Sequence, residues 1–324
     1  NFVGENIVGT AWNKQYAISV IRALPYNPDG INGFSSNEQI AMSNIWRRVA
    51  EDYSVWDIDV TTERPSIFTS RTLIAMITNS IGADNIPLPS SSAGGVAYLS
   101  IFEFYDTAYY RPAFIYYDKL IGGREDVVAE VTSHELGHNF GLSHDGITGG
   151  SSYYGGSGAG DTSWGPIMGA SYFRAVTKFS KGEYSSNSNN HEDDIAIITK
   201  QLSLRTDLVG NTIFNAVNIN GSSLISGIIE TDSDIDMFSI NSAGGIISVS
   251  AKPFTSSANS VGNNLDIGLQ ILNSLGTMLY ISEPTDKSSA SIVTLSLPAG
   301  TYYIQVYATG NPVTPYAKYG SVGQ

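Results

Sequence analysis

The chain has 324 residues, no cysteine, and 30 acidic against 17 basic side chains, for a net charge of -13. That length accommodates two domains with separate cores, and the acidity argues against nucleic acid or an anionic membrane as partner while leaving carboxylates for calcium. Without cysteine there is no disulfide framework, no thiol nucleophile and no sulfur ligand for a metal.

No apolar run is long enough for a membrane span, and Asn1 is preceded by no basic and apolar leader, so the sequence reads as a mature form without signal or propeptide. Residues 16–24 (YAISVIRAL) are apolar and β-branched and stop at Pro25, which predicts a strand. After the turn-rich PYNPDGINGF, Ser35 or Ser36 caps a helix in which Ile40, Met42, Ile45, Trp46 and Val49 recur at helical spacing. Residues 55–61 read as a second strand, which would complete a right-handed crossover if parallel to the first. The type of 66–77 stays open; 94–101 (GGVAYLSI) and 112–117 (PAFIYY) read as strands. Residues 118–123 turn into a helix whose first turn carries Glu125 and Asp126 against the positive end of its dipole.

That helix contains VTSHELGHNFGLSHD at 131–145. His134 and His138 stand four residues apart, on one helix face, where both can bind one metal. Glu135 lies about 100° round the helix, placed to hydrogen-bond a metal-activated water as a general base rather than as a ligand. Gly141 can take the left-handed conformation that ends a helix sharply, letting His144 return as a third ligand. Three neutral imidazoles leave the fourth position of a tetrahedral zinc open, as catalytic sites do. Three of the chain's four histidines fall in this motif; His191 lies outside it and reads as a surface residue.

HELGHNFGLSHD is similar to the extended zinc signature of the metzincin metallopeptidases, whose second hallmark is a methionine turn downstream. Met168 in Pro166-Ile167-Met168-Gly169 supplies one, and Asp145 after the third histidine resembles the adamalysin or reprolysin branch. An astacin- or serralysin-like enzyme would share the chemistry and differ in the cleft. The resemblance implies a secreted endopeptidase cleaving internal bonds of protein substrates, with one zinc on His134, His138 and His144, Glu135 as base and Met168 as apolar floor. It also implies an α+β catalytic domain built on a twisted, mixed five-stranded sheet with helices. In metzincins the segment equivalent to 94–101 is the edge strand that pairs with substrate, which implicates Gly95, Val96, Ala97 and Tyr98. Ala170, Ser171 and Tyr172 would run beside the pocket for the residue after the scissile bond. Some metzincins place a zinc-touching tyrosine two residues after the methionine; that position is Ala170, so no such ligand is expected. The missing cysteines depart from animal adamalysins and point to a bacterial relative.

Residues 145–166 form a glycine- and serine-rich surface loop, and 192–198 a helix with an acidic start. Beyond residue 205 only Lys252, Lys287 and Lys318 are basic. Short β-rich runs recur at 213–219, 223–229, 237–240, 246–251, 265–272, 278–281, 292–297 and 301–307, which predicts an all-β sandwich. The domains are therefore 1–205 and 206–324. DIDMF at 234–238, NLDI at 264–267 and LPAGTYY at 297–303 resemble the bacterial prepeptidase C-terminal domain, a jelly-roll-like sandwich. That resemblance implies attachment to extracellular matrix or another surface, secretion or stability, and in some relatives calcium. Asp232, Asp234 and Asp236 alternate without the glycine and glutamate of an EF-hand, yet on one strand face they would need a cation or donors, so they form a possible calcium site. A monomer is expected. A reading from a different class, an inactive metzincin-like protein adhering through its sandwich, is disfavoured by the intact Glu135.

Overall fold

The computed structural model describes residues 1–221, 224–255, 261–314 and 316–324. β1 (Asn6–Ile7) and β2 (Ile21–Arg22) pair antiparallel around α1 (Ala11–Tyr16). The strand expected over 16–24 is thereby reduced to two residues. The Asn13 side chain donates to the carbonyls of Ile7 (3.0 Å) and Ile18 (2.9 Å), and these bonds hold the chain after α1 in a turn.

α2 (Ser36–Asp52) starts at Ser35, whose amide donates to the Glu38 carboxylate at 2.9 Å while its hydroxyl accepts from the Glu38 amide at 3.3 Å. Then come β3 (Ala75–Thr78), β4 (Gly95–Val96), α3 (Thr107–Tyr110), β5 (Ala113–Tyr116) and α4 (Glu125–Phe140). β5 is central, parallel to β3 and antiparallel to β4. The mixed sheet thus has three strands among the described residues, not five. Residues 55–61 do not join it because their backbone is spoken for: Asp57 N donates to Ser203 O and Arg205 N to Val55 O, each at 2.8 Å.

α4 is buried on almost every side, by Ile45 and Val49 of α2, by Ile77 and Ile115 of the sheet, and by Met168. A helix in that position is a fixed platform rather than a surface element. Beyond it lie β6 (Trp164–Pro166), parallel to β7 (Val176–Lys178), and α5 (Asp194–Thr199), capped by Asp193.

The remaining strands are β8 (Val217–Asn218), β9 (Ile235–Ser242), β10 (Ser248–Ala251), β11 (Ile267–Leu272), β12 (Met278–Ser282), β13 (Ala290–Val293) and β14 (Gly300–Ala308). They form a five-stranded sheet ordered β12-β11-β14-β9-β8 and the pair β10-β13. Phe238, Leu269, Ile271 and Ile304 from the large sheet meet Ala290 and Ile292 from the pair in one apolar core. Of the strand expected at 213–219 only β8 forms. The one expected at 223–229 begins at Ser223, outside the described residues, and 224–228 are not strand.

The end of the chain crosses back to the first core, which Val322 joins. The Gln324 amide donates to Glu51 Oε1 at 2.8 Å, and the buried Lys178 ammonium donates to the carbonyls of Ala317 and Tyr319. Arg48 of α2 donates to Val261 O at 2.8 Å; it passes where a Cβ on residue 262 would stand, so Gly262 permits the contact.

Burial pushes the Glu51 carboxyl up to about 8 and that of Asp52, beside it in this seam, up to about 7. The unfolded chain releases those protons in the ordinary carboxyl range, so between the two limits the folded state holds more protons and stability falls as pH rises. Glu51→Gln, which can still accept from Gln324, is expected to flatten the melting temperature between about pH 5 and about pH 8. A slope identical to that of the parent protein would refute this.

Candidate active site

The helix that carries the motif ends at Gly141, with φ of 101° and its amide turned back to the carbonyls of Gly137 and His138. A Cβ there would stand 2.8 Å from Ser100 Oγ, a second reason for glycine. The chain then reverses, and one nitrogen each of His134, His138 and His144 lie within 4.8 Å of one another.

Their tautomers follow from their partners. His134 Nδ1 lies 2.9 Å from Ile167 O and His138 Nδ1 lies 2.7 Å from Leu142 O. A carbonyl only accepts, so each Nδ1 carries the proton and each Nε2 keeps its lone pair. Burial, with His138 adding to it, pushes His134 down to about 3 and His144 to about 4, and burial lowers His138 too. Three neutral rings are a donor set that suits zinc, and His138 Nε2 and His144 Nε2 lie 2.9 Å apart, close enough to share one metal.

Glu135 is buried at the same turn, and burial alone raises its carboxyl to about 8. Across from it runs β4: a Cβ on Gly95 would come within 2.5 Å of Glu135 Oε1. Met168 is fully buried beneath the helix, and a Cβ on Gly137 would come within 2.5 Å of its sulfur. Gly137 was not picked out from sequence, although a glycine inside a helix, where alanine is favoured by about 1 kcal/mol, was a signal. Asp145 ties the third histidine to this floor: its amide donates to Met168 O at 2.8 Å, and its carboxylate accepts from Ser180 Oγ at 2.7 Å and Asn190 Nδ2 at 3.1 Å.

Of the residues implicated in substrate binding, Gly95 and Val96 lie in β4, the outer strand of the sheet, with only β5 beside it among the described residues. Ala97 and Tyr98 lie beyond its end. The strand expected over 94–101 stops there because the amides of Ser100, Ile101 and Phe102 donate to the carbonyls of His138 and Asn139 at the end of α4. The Tyr98 side chain serves the scaffold, tilted against Trp12 at 4.1 Å and donating to Gln15 at 2.6 Å. Ser171 is buried, and its hydroxyl donates to Glu130, one helical turn before His134 on α4. Ala170 gives its amide to Tyr154 O at 2.9 Å, and Tyr172 is 37% exposed. His191 is exposed and outside the triad.

Sequence reading also missed Tyr153. Its ring lies 4.4 Å from that of His144 and 6.0 Å from that of His134. A glycine- and serine-rich loop offers no periodicity from which this could be foreseen.

A second cluster lies in the β-rich region, and it corrects the acidic triplet. Asp207, Asp234 and Asp236 converge within 4.8 Å, while Asp232 is exposed and apart. β9 begins only at Ile235, and Asp234 lies in the turn before it, its carboxylate accepting from the amides of Glu230 and Ile235, so 232, 234 and 236 share no strand face. Burial, then the charges of Asp234 and Asp207, raise Asp236 to about 7. Its Oδ1 and Glu230 Oε2 are buried without a partner among the described residues.

Imidazole lone pairs aimed at one point, with a buried carboxylate at their side, are what hydrolysis of a peptide bond by a metal ion requires, and the class of protein so defined is a metallopeptidase. Two family models bear this out: Metallo-peptidase family M12B Reprolysin-like matches residues 52–145, and Peptidase M66 matches residues 121–208. They overlap on the histidine triad, and neither extends past residue 208. No curated protein matches the chain.

Proposed function

We propose that the chain is a secreted zinc endopeptidase that cleaves internal bonds of protein substrates. The observation that carries the proposal is the triad of neutral imidazoles with both helix-borne Nδ1 protons tied to carbonyls, beside Glu135. Zinc held by His134, His138 and His144 would supply a Lewis acid for the scissile carbonyl and for water. Glu135 takes the proton from the attacking water and later gives it to the leaving amine; burial gives it a proton affinity suited to both tasks near neutral pH. The open edge of β4 offers main-chain hydrogen bonds to an extended peptide at Gly95 and Val96, with Ala97 following. Tyr172 and the backbone at Ala170 are proposed to flank the residue after the scissile bond; the exposure of Tyr172 supports this.

The test is a casein digest with and without a zinc chelator, followed by zinc add-back. Cleavage is expected to stop and return with the metal; cleavage indifferent to chelation refutes the proposal. Acid should also release the metal, because a protonated imidazole cannot bind it. In the metal-free protein the unfolded chain binds protons from about 6.5 downward while His144 and His134 resist until about 4 and 3, so stability falls with pH across that window. Zinc analysis after dialysis below about pH 4 checks the first point: full retention counts against these ligands.

The β-rich region is proposed to anchor the enzyme to matrix or another surface and to hold calcium at Asp207, Asp234 and Asp236. The supporting observation is that Asp234 and Asp236 are buried beside the exposed Asp207, with no basic partner among the described residues. Calcium chelation at saturating zinc is expected to lower the melting temperature, and Asp207→Asn to abolish that response; no shift in the parent protein removes the site.

A further inference from the structure

We propose that Tyr153 is a catalytic residue, whose phenol donates a hydrogen bond to the scissile carbonyl oxygen as negative charge builds on it. This rests on the peptidase reading above.

Its backbone is fixed on both sides. Tyr154 N donates to Asp145 O at 2.6 Å, and Tyr154 O accepts from Ala170 N at 2.9 Å, so the residue is held between the third histidine and the segment after Met168. Close approach makes this possible: a Cβ on Gly146 would meet Ser151 O and Ser152 O at 2.6 Å, and one on Gly169 would meet Tyr154 O at 2.5 Å. Tyr154 goes inward against Tyr184, 5.2 Å away. Tyr153 goes the other way, its ring tilted against His144 at 4.4 Å and 43% exposed. Its own hydrogen bonds are backbone ones to Ser151, and its hydroxyl has no partner among the described residues. A rigidly mounted donor at the rim of the triad, with its proton uncommitted, is preorganised for charge that exists only during reaction.

The step balances with water as the only co-reactant. Water oxygen bonds to the scissile carbon, Glu135 accepts the water proton, and the carbonyl π pair moves to oxygen, which Tyr153 O–H stabilises without losing its proton. The C–N bond then breaks and Glu135 protonates the leaving nitrogen.

The test compares Tyr153→Phe, which keeps the ring against His144, with Tyr153→Ala, which removes it, on the zinc-loaded full chain. Zinc stoichiometry, melting temperature, kcat, KM, and affinities for a phosphinic peptide and for the matching product peptide are measured. For Tyr153→Phe the expected result is one zinc, unchanged melting, unchanged KM, kcat lower by about 10²-fold, and phosphinic affinity weakened in step while product affinity holds. Unchanged kcat and phosphinic affinity in Tyr153→Phe overturn the proposal even if Tyr153→Ala is impaired, since packing alone would explain that pattern. Equal weakening of phosphinic and product peptides also overturns it. If the parent protein holds zinc yet neither cleaves casein nor binds the phosphinic peptide, the peptidase reading fails first and this proposal with it.

Discussion

Glu135→Gln is expected to keep its zinc and its fold and to lose hydrolysis by about 10²–10⁴-fold. The amide has nearly the shape of the carboxylate, so the close passage beside Gly95 survives, and His134 and His138 keep their carbonyl partners. What disappears is the proton acceptor. The change also removes a carboxyl that burial holds up at about 8, whereas an unfolded carboxyl ionises in the ordinary range. Since the parent loses stability as pH rises through that window, the variant should melt at a higher temperature than the parent above about pH 8. Metal analysis, kcat and melting curves decide it. A rate near that of the parent, or lost zinc, would leave Glu135 without its assigned role.

Arg48→Met is expected to cost about 3–5 kcal/mol of stability, because it strands a buried charge. Arg48 pairs with Glu130, both side chains being only 4% exposed, and also donates to Val261 O at 2.8 Å and Thr177 Oγ1 at 3.3 Å. Burial pushes the Glu130 carboxyl up, and Arg48 pulls it back. Glu130 accepts from Ser171 as well, three residues past Met168, and sits one helical turn before His134. The pair therefore clamps the catalytic helix, one turn before His134, to the chain leaving the methionine floor. Weaker zinc binding should accompany the loss of stability. The double variant Arg48→Met, Glu130→Leu removes both charges and should regain most of the loss. Urea unfolding with zinc titration measures both effects. A single variant within about 1 kcal/mol of the parent would show that the clamp carries no such load.

The chemistry was legible in the sequence because it is local. His134, Glu135, His138 and the left-handed Gly141 lie within eight residues, where helical geometry alone sets their relations. Ser35 and Glu38 at the start of α2 were readable for the same reason. Residues 55–61 failed because their strand-like composition is satisfied by a partner about 150 positions later, at 203–205, which periodicity does not see. Asp207 was missed in favour of Asp232 because alternation assumes a strand, and the turn before β9 breaks it. Tyr153 and Gly137 have meaning only once Met168 and His144 stand beside them, and those neighbours are brought there by the reversal at Gly141.

The returning end of the chain has a further consequence. Val322 inside the first core, Gln324 on Glu51, and Lys178 on Ala317 and Tyr319 make the attachment of the two regions a matter of packing rather than of the connecting peptide. A nick in the exposed stretch around 206–216 would leave both fragments travelling as one particle, and halves produced separately should find each other and reassemble.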